Sequence, residues 1–269
     1  MGLNIIKSLL AIIPISLILG VALAYFSVKF AVEENKKVKD IRAILPGANC
    51  GSCGFKGCDD YALAVAEGRA EPNLCTPGGE EVATAIGDYL GVEVDSPESV
   101  GAFVHCNGHC EATSKKALYE GISSCRAAAM LYGGPDACVF SCVGLGDCAA
   151  KCPQNAICIK DGIAHIDSNA CVGCGACALA CPKHIISVMP RGAAVSVMCS
   201  NKDKGADARK ACKNACIGCK KCEKTCENGA IIVENNIARI DYSKCSGCGA
   251  CADACPTGCL KKVDFNIAK

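Results

Sequence analysis

The chain has 269 residues, 27 cysteines, no tryptophan and a net charge of +1. That near-neutral balance excludes the bulk positive field of a nucleic-acid binder, and aromatic residues at 4% leave little material for a conventional core. So many thiols would by number suit a secreted disulfide scaffold, but the count is odd and the cysteines recur in C-x2-C-x2-C triplets, which suit metal coordination.

From Ser8 to Val28 the sequence is uncharged, rich in Leu, Ile, Val and Ala, and bracketed by Lys7 and Lys29. About 21 residues at ~1.5 Å each span about 31 Å, enough to cross a hydrocarbon core. Residues 1–30 are therefore expected to be a transmembrane anchor, with Pro14 tolerated near its start. A cleaved signal peptide ending near Ala22-Leu23-Ala24 is the alternative. Lys29, Lys36, Lys37 and Lys39 outweigh Lys7, so the positive-inside rule places the body of the chain on the cytoplasmic side of the cell membrane as a single-pass protein.

Residues 31–95 read as a stalk and a small helical domain. Val32, Val38, Ile41 and Leu45 keep a helical pattern up to Pro46-Gly47. Cys50, Cys53 and Cys58 then lie in a glycine-rich loop, and Cys75 follows a helical segment over Asp60 to Gly68. Four thiolates with amides free to approach them fit a [4Fe–4S] site, with zinc as the competing metal. Glu80 to Leu90 reads as a further helix.

Residues 96–135 form a Cys-containing connecting region with Cys106, Cys110, Cys125, His105 and His109 in no regular cluster spacing. The histidines read as core or surface residues. Residues 136–190 are expected to be a bacterial-ferredoxin-like module. Cys171, Cys174, Cys177 and Cys181-Pro182 match C-x2-C-x2-C-x3-C-P, in which the fourth cysteine serves the other cluster. Cys171, Cys174 and Cys177 thus pair with Cys152, and Cys138, Cys142 and Cys148 with Cys181. The first triplet is irregular, with three residues between Cys138 and Cys142 and five before Cys148. After a connecting segment at 191–212, residues 213–265 repeat the arrangement regularly: Cys216, Cys219 and Cys222 with Cys255, and Cys245, Cys248 and Cys251 with Cys226.

Five sets leave Cys106, Cys110, Cys125, Cys158, Cys199, Cys212 and Cys259. Cys106, Cys125, Cys199 and Cys212 are the candidate ligands of a sixth cluster, against the alternative of buried free thiols. Cys158 and Cys259 read as packing. Asp161-Gly162 and Asn235-Asn236, each between apolar runs, predict tight hairpins. Lys202, Lys204, Arg209, Lys210, Lys213, Lys220, Lys221 and Lys224 gather positive charge where the last module begins, a surface to steer an acidic donor or simply a solvated face. The fold class is α+β: a transmembrane helix, a small helical four-Cys domain and two tandem 2[4Fe–4S] modules.

No nucleophile–base pair, P-loop or dinucleotide fingerprint is visible, so no catalytic residue and no cofactor beyond the clusters is expected. The chemistry is one-electron transfer through at least five [4Fe–4S] clusters, or six. The N-terminal helix, the Cys50 loop with Cys75, and Cys138-x3-Cys142-Val-Gly-Leu-Gly-Asp-Cys148 ahead of Cys152-Pro153 together resemble the B subunit of the Rnf complex over essentially the whole chain. The resemblance implies an ion-translocating ferredoxin:NAD oxidoreductase, a translocase in which this subunit takes electrons from reduced ferredoxin and passes them to membrane and flavin-bearing partner subunits. The second module resembles the longer form of the subunit, and Glu227 after Cys226, where the motif has proline, puts one turn in doubt. A related complex that reduces a redox-sensing regulator, a free-standing membrane polyferredoxin and a zinc-stapled scaffold are the other readings.

Overall fold

The structure, a computed structural model, describes residues 2–29, 35–96 and 99–263. It opens on α1 (Gly2–Lys29), a 28-residue helix that Pro14 does not break. Its described side chains include Leu17, Ile18, Leu19, Val21 and Leu23, all exposed. Among the described residues no helix is long and apolar enough to cross a membrane. The expected span runs from Ser8 to Val28, and the side chains at 8–12, 15, 27 and 28 lie outside the described residues. Val32, in the expected stalk, lies outside them as well.

A small helical domain follows, built from α2 (Lys36–Ile44), α3 (Cys58–Ala66) and α4 (Gly79–Leu90). Asn35 caps α2 through its side chain, and the helix ends at Leu45, which the following Pro46 holds extended. The apolar positions of the three helices close on Ile41, Tyr61 and Ile86, all buried. Tyr61 fixes the loop ahead of Cys75: its hydroxyl donates to the Glu71 carbonyl at 2.7 Å and accepts from the Leu74 amide at 3.2 Å. Burial, only partly offset by that amide, pushes its phenol up to about 12.

Among the described residues, the rest of the chain carries four two-stranded antiparallel sheets. The two predicted hairpins form, β2 (Ile157–Lys160) with β3 (Ile163–Ile166) and β6 (Ile231–Glu234) with β7 (Ile237–Ile240). Their turn residues, Asp161-Gly162 and Asn235-Asn236, all have positive φ, as a type I′ turn requires. The other two sheets draw a strand from the segments expected to be connecting. In the first module β1 (Val100–Val104) pairs with β4 (Ile186–Pro190), and in the second β5 (Val195–Val197) pairs with β8 (Leu260–Lys262). Each module thus closes as one hairpin and one sheet of distant strands around cluster loops, with helical turns α6 (Asp147–Ala150) and α7 (Ala176–Ala180) in the first, and α9 (Lys221–Thr225) and α10 (Ala250–Asp253) in the second. The doubted turn after Cys226 forms without proline, through a Gly229 N–H bond to the Cys226 carbonyl that matches the one from Gly258 to Cys255.

Two more helices bear on the cysteines between the modules, α5 (Cys125–Met130) and α8 (Gly205–Ala211). His105 ties the modules together: its Nδ1 pairs with the Val197 carbonyl at 2.7 Å and its Nε2 with the Ser187 hydroxyl at 2.6 Å. Burial lowers its pKa, which keeps the ring neutral and able to donate on one side while accepting on the other. It serves as a clip between sheets, in keeping with a core histidine.

Candidate metal centres

Cys50, Cys53, Cys58 and Cys75 come together beside the core of the small domain. Burial raises the Cys75 thiol, and the charges of Cys58, Cys53 and Cys50 add to the shift. The loop that carries them is held by Asn49, whose Oδ1 accepts the Cys58 amide at 2.8 Å.

In the first module Cys152, Cys171, Cys174 and Cys177 line one cavity, the grouping expected from the sequence. Cys152 accepts the Ala156 amide at 3.3 Å, and Cys171 accepts those of Ala102 and Gly173 at 3.5 and 3.4 Å. The guanidinium of Arg191 clamps the loop by donating to the carbonyls of Val100, Ser168 and Cys171. Gly173 sits at φ +68, and a Cβ there would meet the Val100 carbonyl oxygen at 2.6 Å, so the loop can close on β1 only with glycine.

The other half of this module departs from expectation. Its cavity is lined by Cys125, Cys142, Cys148 and Cys181, not by Cys138. Asp147 brings Cys125 there: its carboxylate accepts the Cys125 amide at 2.9 Å, the Arg126 amide at 3.1 Å and the Ser124 hydroxyl at 2.9 Å, capping α5 from across the chain. Partial burial alone would raise the Asp147 pKa, but these donors outweigh it and the net shift is downward. The stabilisation is complete above the unfolded value of about 3.9 and fades as pH falls through the lower folded value. Replacing Asp147 with alanine is expected to destabilise the chain by ~1–2 kcal/mol and to release about four iron atoms per chain, the content of one [4Fe–4S] cluster, as read by iron analysis; Asp147→Asn should lose less.

Cys138 lines a different cavity, with Cys106, Cys199 and Cys212. Cys106, Cys199 and Cys212 of the expected sixth set share this cavity, but Cys125 does not, and Cys138 stands in its place. A turn closed by the Ser141 N–H on the Cys138 carbonyl separates Cys138 from Cys142, and Asn201, buried at 1% exposure, donates to the Cys138 sulfur at 3.5 Å. Cys106 accepts the amides of Gly108 and Cys142 at 3.4 Å each, and Cys199 those of Asn201 and Cys216 at 3.4 and 3.3 Å. The segment carrying Cys106 is fastened to the one carrying Cys212 by Thr113 donating to the Ala211 carbonyl and Asn214 to that of Asn107.

In the second module Cys216, Cys219, Cys222 and Cys255 line one cavity together with Cys259. Cys251 faces Cys245 and Cys226, whose charges help raise its thiol above the effect of burial. Cys158 and Cys110 are exposed and join none of these sets.

Burial drives the bare thiols upward, Cys106 and Cys148 to about 12 and Cys177, Cys199 and Cys222 to about 11. Such groups are neutral at pH 7 until a metal displaces their protons. Among the described residues no group of three or more His, Cys, Asp or Glu closes on a single metal ion, whereas four-thiol sets surround shared cavities with backbone amides aimed at sulfur. That donor set fits a [4Fe–4S] cluster, which takes four thiolates and is tuned by N–H···S bonds.

Comparison with known proteins agrees with the chemistry. A family described as an Fe-S cluster matches residues 45–77, and two described as 4Fe-4S binding domains match residues 164–187 and 238–261 and residues 213–229. The chain is 45% identical over 264 residues to the B subunit of the proton-translocating ferredoxin:NAD(+) oxidoreductase complex of Clostridium ljungdahlii, covering 97% of this chain and 93% of that one. It is 43% identical over 245 residues to the B subunit of the Na(+)-translocating ferredoxin:NAD(+) oxidoreductase complex of Acetobacterium woodii, covering 91% and 74%. With the B subunit of the ion-translocating oxidoreductase complex of Methanosarcina acetivorans the identity is 39% over 253 residues, covering 94% and 96%. With its iron–sulfur domains and the full-length likeness to these relatives, the chain belongs to the family of B subunits of ion-translocating ferredoxin:NAD(+) oxidoreductase complexes, the Rnf complexes.

Proposed function

We propose that the chain is an electron wire of six [4Fe–4S] clusters, taking electrons from reduced ferredoxin and passing them to membrane and flavin-bearing partner subunits. The observation that carries this is the adjacency of thiol-lined cavities along the two modules and the segment between them. Cys50 lies close enough to Cys174 for its charge to act there, joining the small domain to the first module. Cys106 accepts the amide of Cys142, and Cys199 accepts that of Cys216. The set of Cys106, Cys138, Cys199 and Cys212 is thus the bridge between the two modules. Clusters, when bound, supply the one-electron chemistry; this chain's residues hold them, exclude water and aim amides at the sulfurs.

The basic residues Lys202, Lys204, Arg209, Lys210, Lys213, Lys220, Lys221 and Lys224 are all exposed, and Cys219 beside them is exposed too. An acidic ferredoxin is the donor such a face would steer. A second surface, on the segment carrying Cys125, exposes Leu118, Ile122, Met130 and Tyr132, the apolar kind of patch that suits a permanent partner subunit. α1 is the proposed single-pass anchor, supported by its 28 residues, its exposed Leu and Ile side chains and the lysines after it. It would place the cluster domains on the cytoplasmic side.

Iron and sulfide analysis with EPR on the anaerobically purified, dithionite-reduced chain tests this reading. About 24 iron atoms per chain, four for each of six clusters, is expected. Stoichiometric zinc with no reduced-cluster signal would sink it.

A further inference from the structure

Cys259 belongs to no four-thiol set, yet it is 1% exposed and lines the cavity of Cys216, Cys219, Cys222 and Cys255. Its sulfur lies 3.6 Å from that of Cys255, within hydrogen-bond range for sulfur. The first module supplies an internal control. At the same place after its Cys-Pro turn stands Ile185, also 1% exposed, lining the cavity of Cys125, Cys142, Cys148 and Cys181. An aliphatic side chain therefore meets the packing need, and what the thiol adds is a hydrogen-bond donor.

We propose that Cys259 is a positioning residue that tunes one cluster: as a neutral thiol it donates an S–H···S bond to Cys255 and holds that residue's cluster at a higher potential than its counterpart beside Ile185. A donor at a ligand sulfur favours the reduced, more negative state of a cluster, which is the direction of the effect. Four other thiols already complete the set, so Cys259 need not ligate. The proposal rests on the reading of that cavity as a [4Fe–4S] site.

The test is an EPR-monitored redox titration of the full chain as wild type, Cys259→Val, Cys259→Ser and Ile185→Cys, with iron analysis on each. Valine keeps the bulk and removes the donor. It should retain the iron and move one cluster component to lower potential, with the reduced-to-oxidised ratio at fixed potential falling roughly three- to tenfold, tenfold being about 59 mV for one electron. Serine, which keeps a donor, should restore part of the shift, and Ile185→Cys should move a different component upward. An unshifted titration of Cys259→Val, or its loss of about four iron atoms, which would make the thiol a ligand, overturns the proposal. A wild-type chain without iron would instead defeat the electron-wire reading itself.

Discussion

Replacing Cys138 with alanine is expected to strip the bridging cluster from the chain, lowering iron by about four atoms while leaving both ferredoxin-like modules loaded. The decisive comparison is between double variants, because groups that serve one site are not additive and groups at separate sites are. Cys138→Ala with Cys199→Ala should lose about four atoms in total, since both thiols line one cavity. Cys138→Ala with Cys142→Ala should lose about eight, because Cys142 lines the cavity of Cys125, Cys148 and Cys181. The opposite pattern would restore Cys138 to the first module and leave Cys125 in the bridge. The single variant should also uncouple the modules: electrons supplied at one should no longer equilibrate quickly with the other, as seen by rapid-freeze EPR.

Removing all the iron should cost the chain most of its tertiary structure. Thiols form part of the buried clusters of both modules: Cys106, Cys142, Cys148 and Cys177 in one, Cys216, Cys222, Cys251 and Cys259 in the other. The contacts between modules likewise centre on Cys138 and Cys212. There is no tryptophan, and among the described residues Tyr61 is the one aromatic among the largest fully buried side chains. Metal binding at structural sites is worth ~10–16 kcal/mol in small zinc domains, comparable to the whole stability of about 5–15 kcal/mol of an ordinary domain. Anaerobic chelation should therefore abolish the cooperative thermal transition followed by near-UV circular dichroism. What survives should be helical, from α2, α3 and α4, whose core of Ile41, Tyr61 and Ile86 is aliphatic and aromatic as well as thiol-lined. A chelated chain that still melted cooperatively at the holo temperature would mean the clusters are cargo on a self-sufficient fold.

Much of this was legible in the residues. A C-x2-C-x2-C loop can present three sulfurs to one cluster by local geometry alone, and an Asp-Gly or Asn-Asn pair between apolar runs turns a hairpin without outside help. The three regular C-x2-C-x2-C runs therefore came from spacing. The irregular one held a signal that spacing rules alone pass over: Cys142 and Cys148 are as far apart as Cys171 and Cys177, with Leu145 where the middle cysteine would stand. That span marks Cys138 as the outsider and calls for a ligand from elsewhere.

The amino-acid sequence by itself determined the chemistry, because cluster-binding loops and tight turns are set by neighbours a few residues apart. Only the tertiary structure decided which thiols share a cavity. Cys125 reaches its cavity through the carboxylate of Asp147, and Cys138 is held in the bridge by Asn201. The strands β1 and β5 complete sheets whose partners lie far along the chain. Contacts of that kind depend on which surfaces meet after the loops have formed, and no local spacing encodes them.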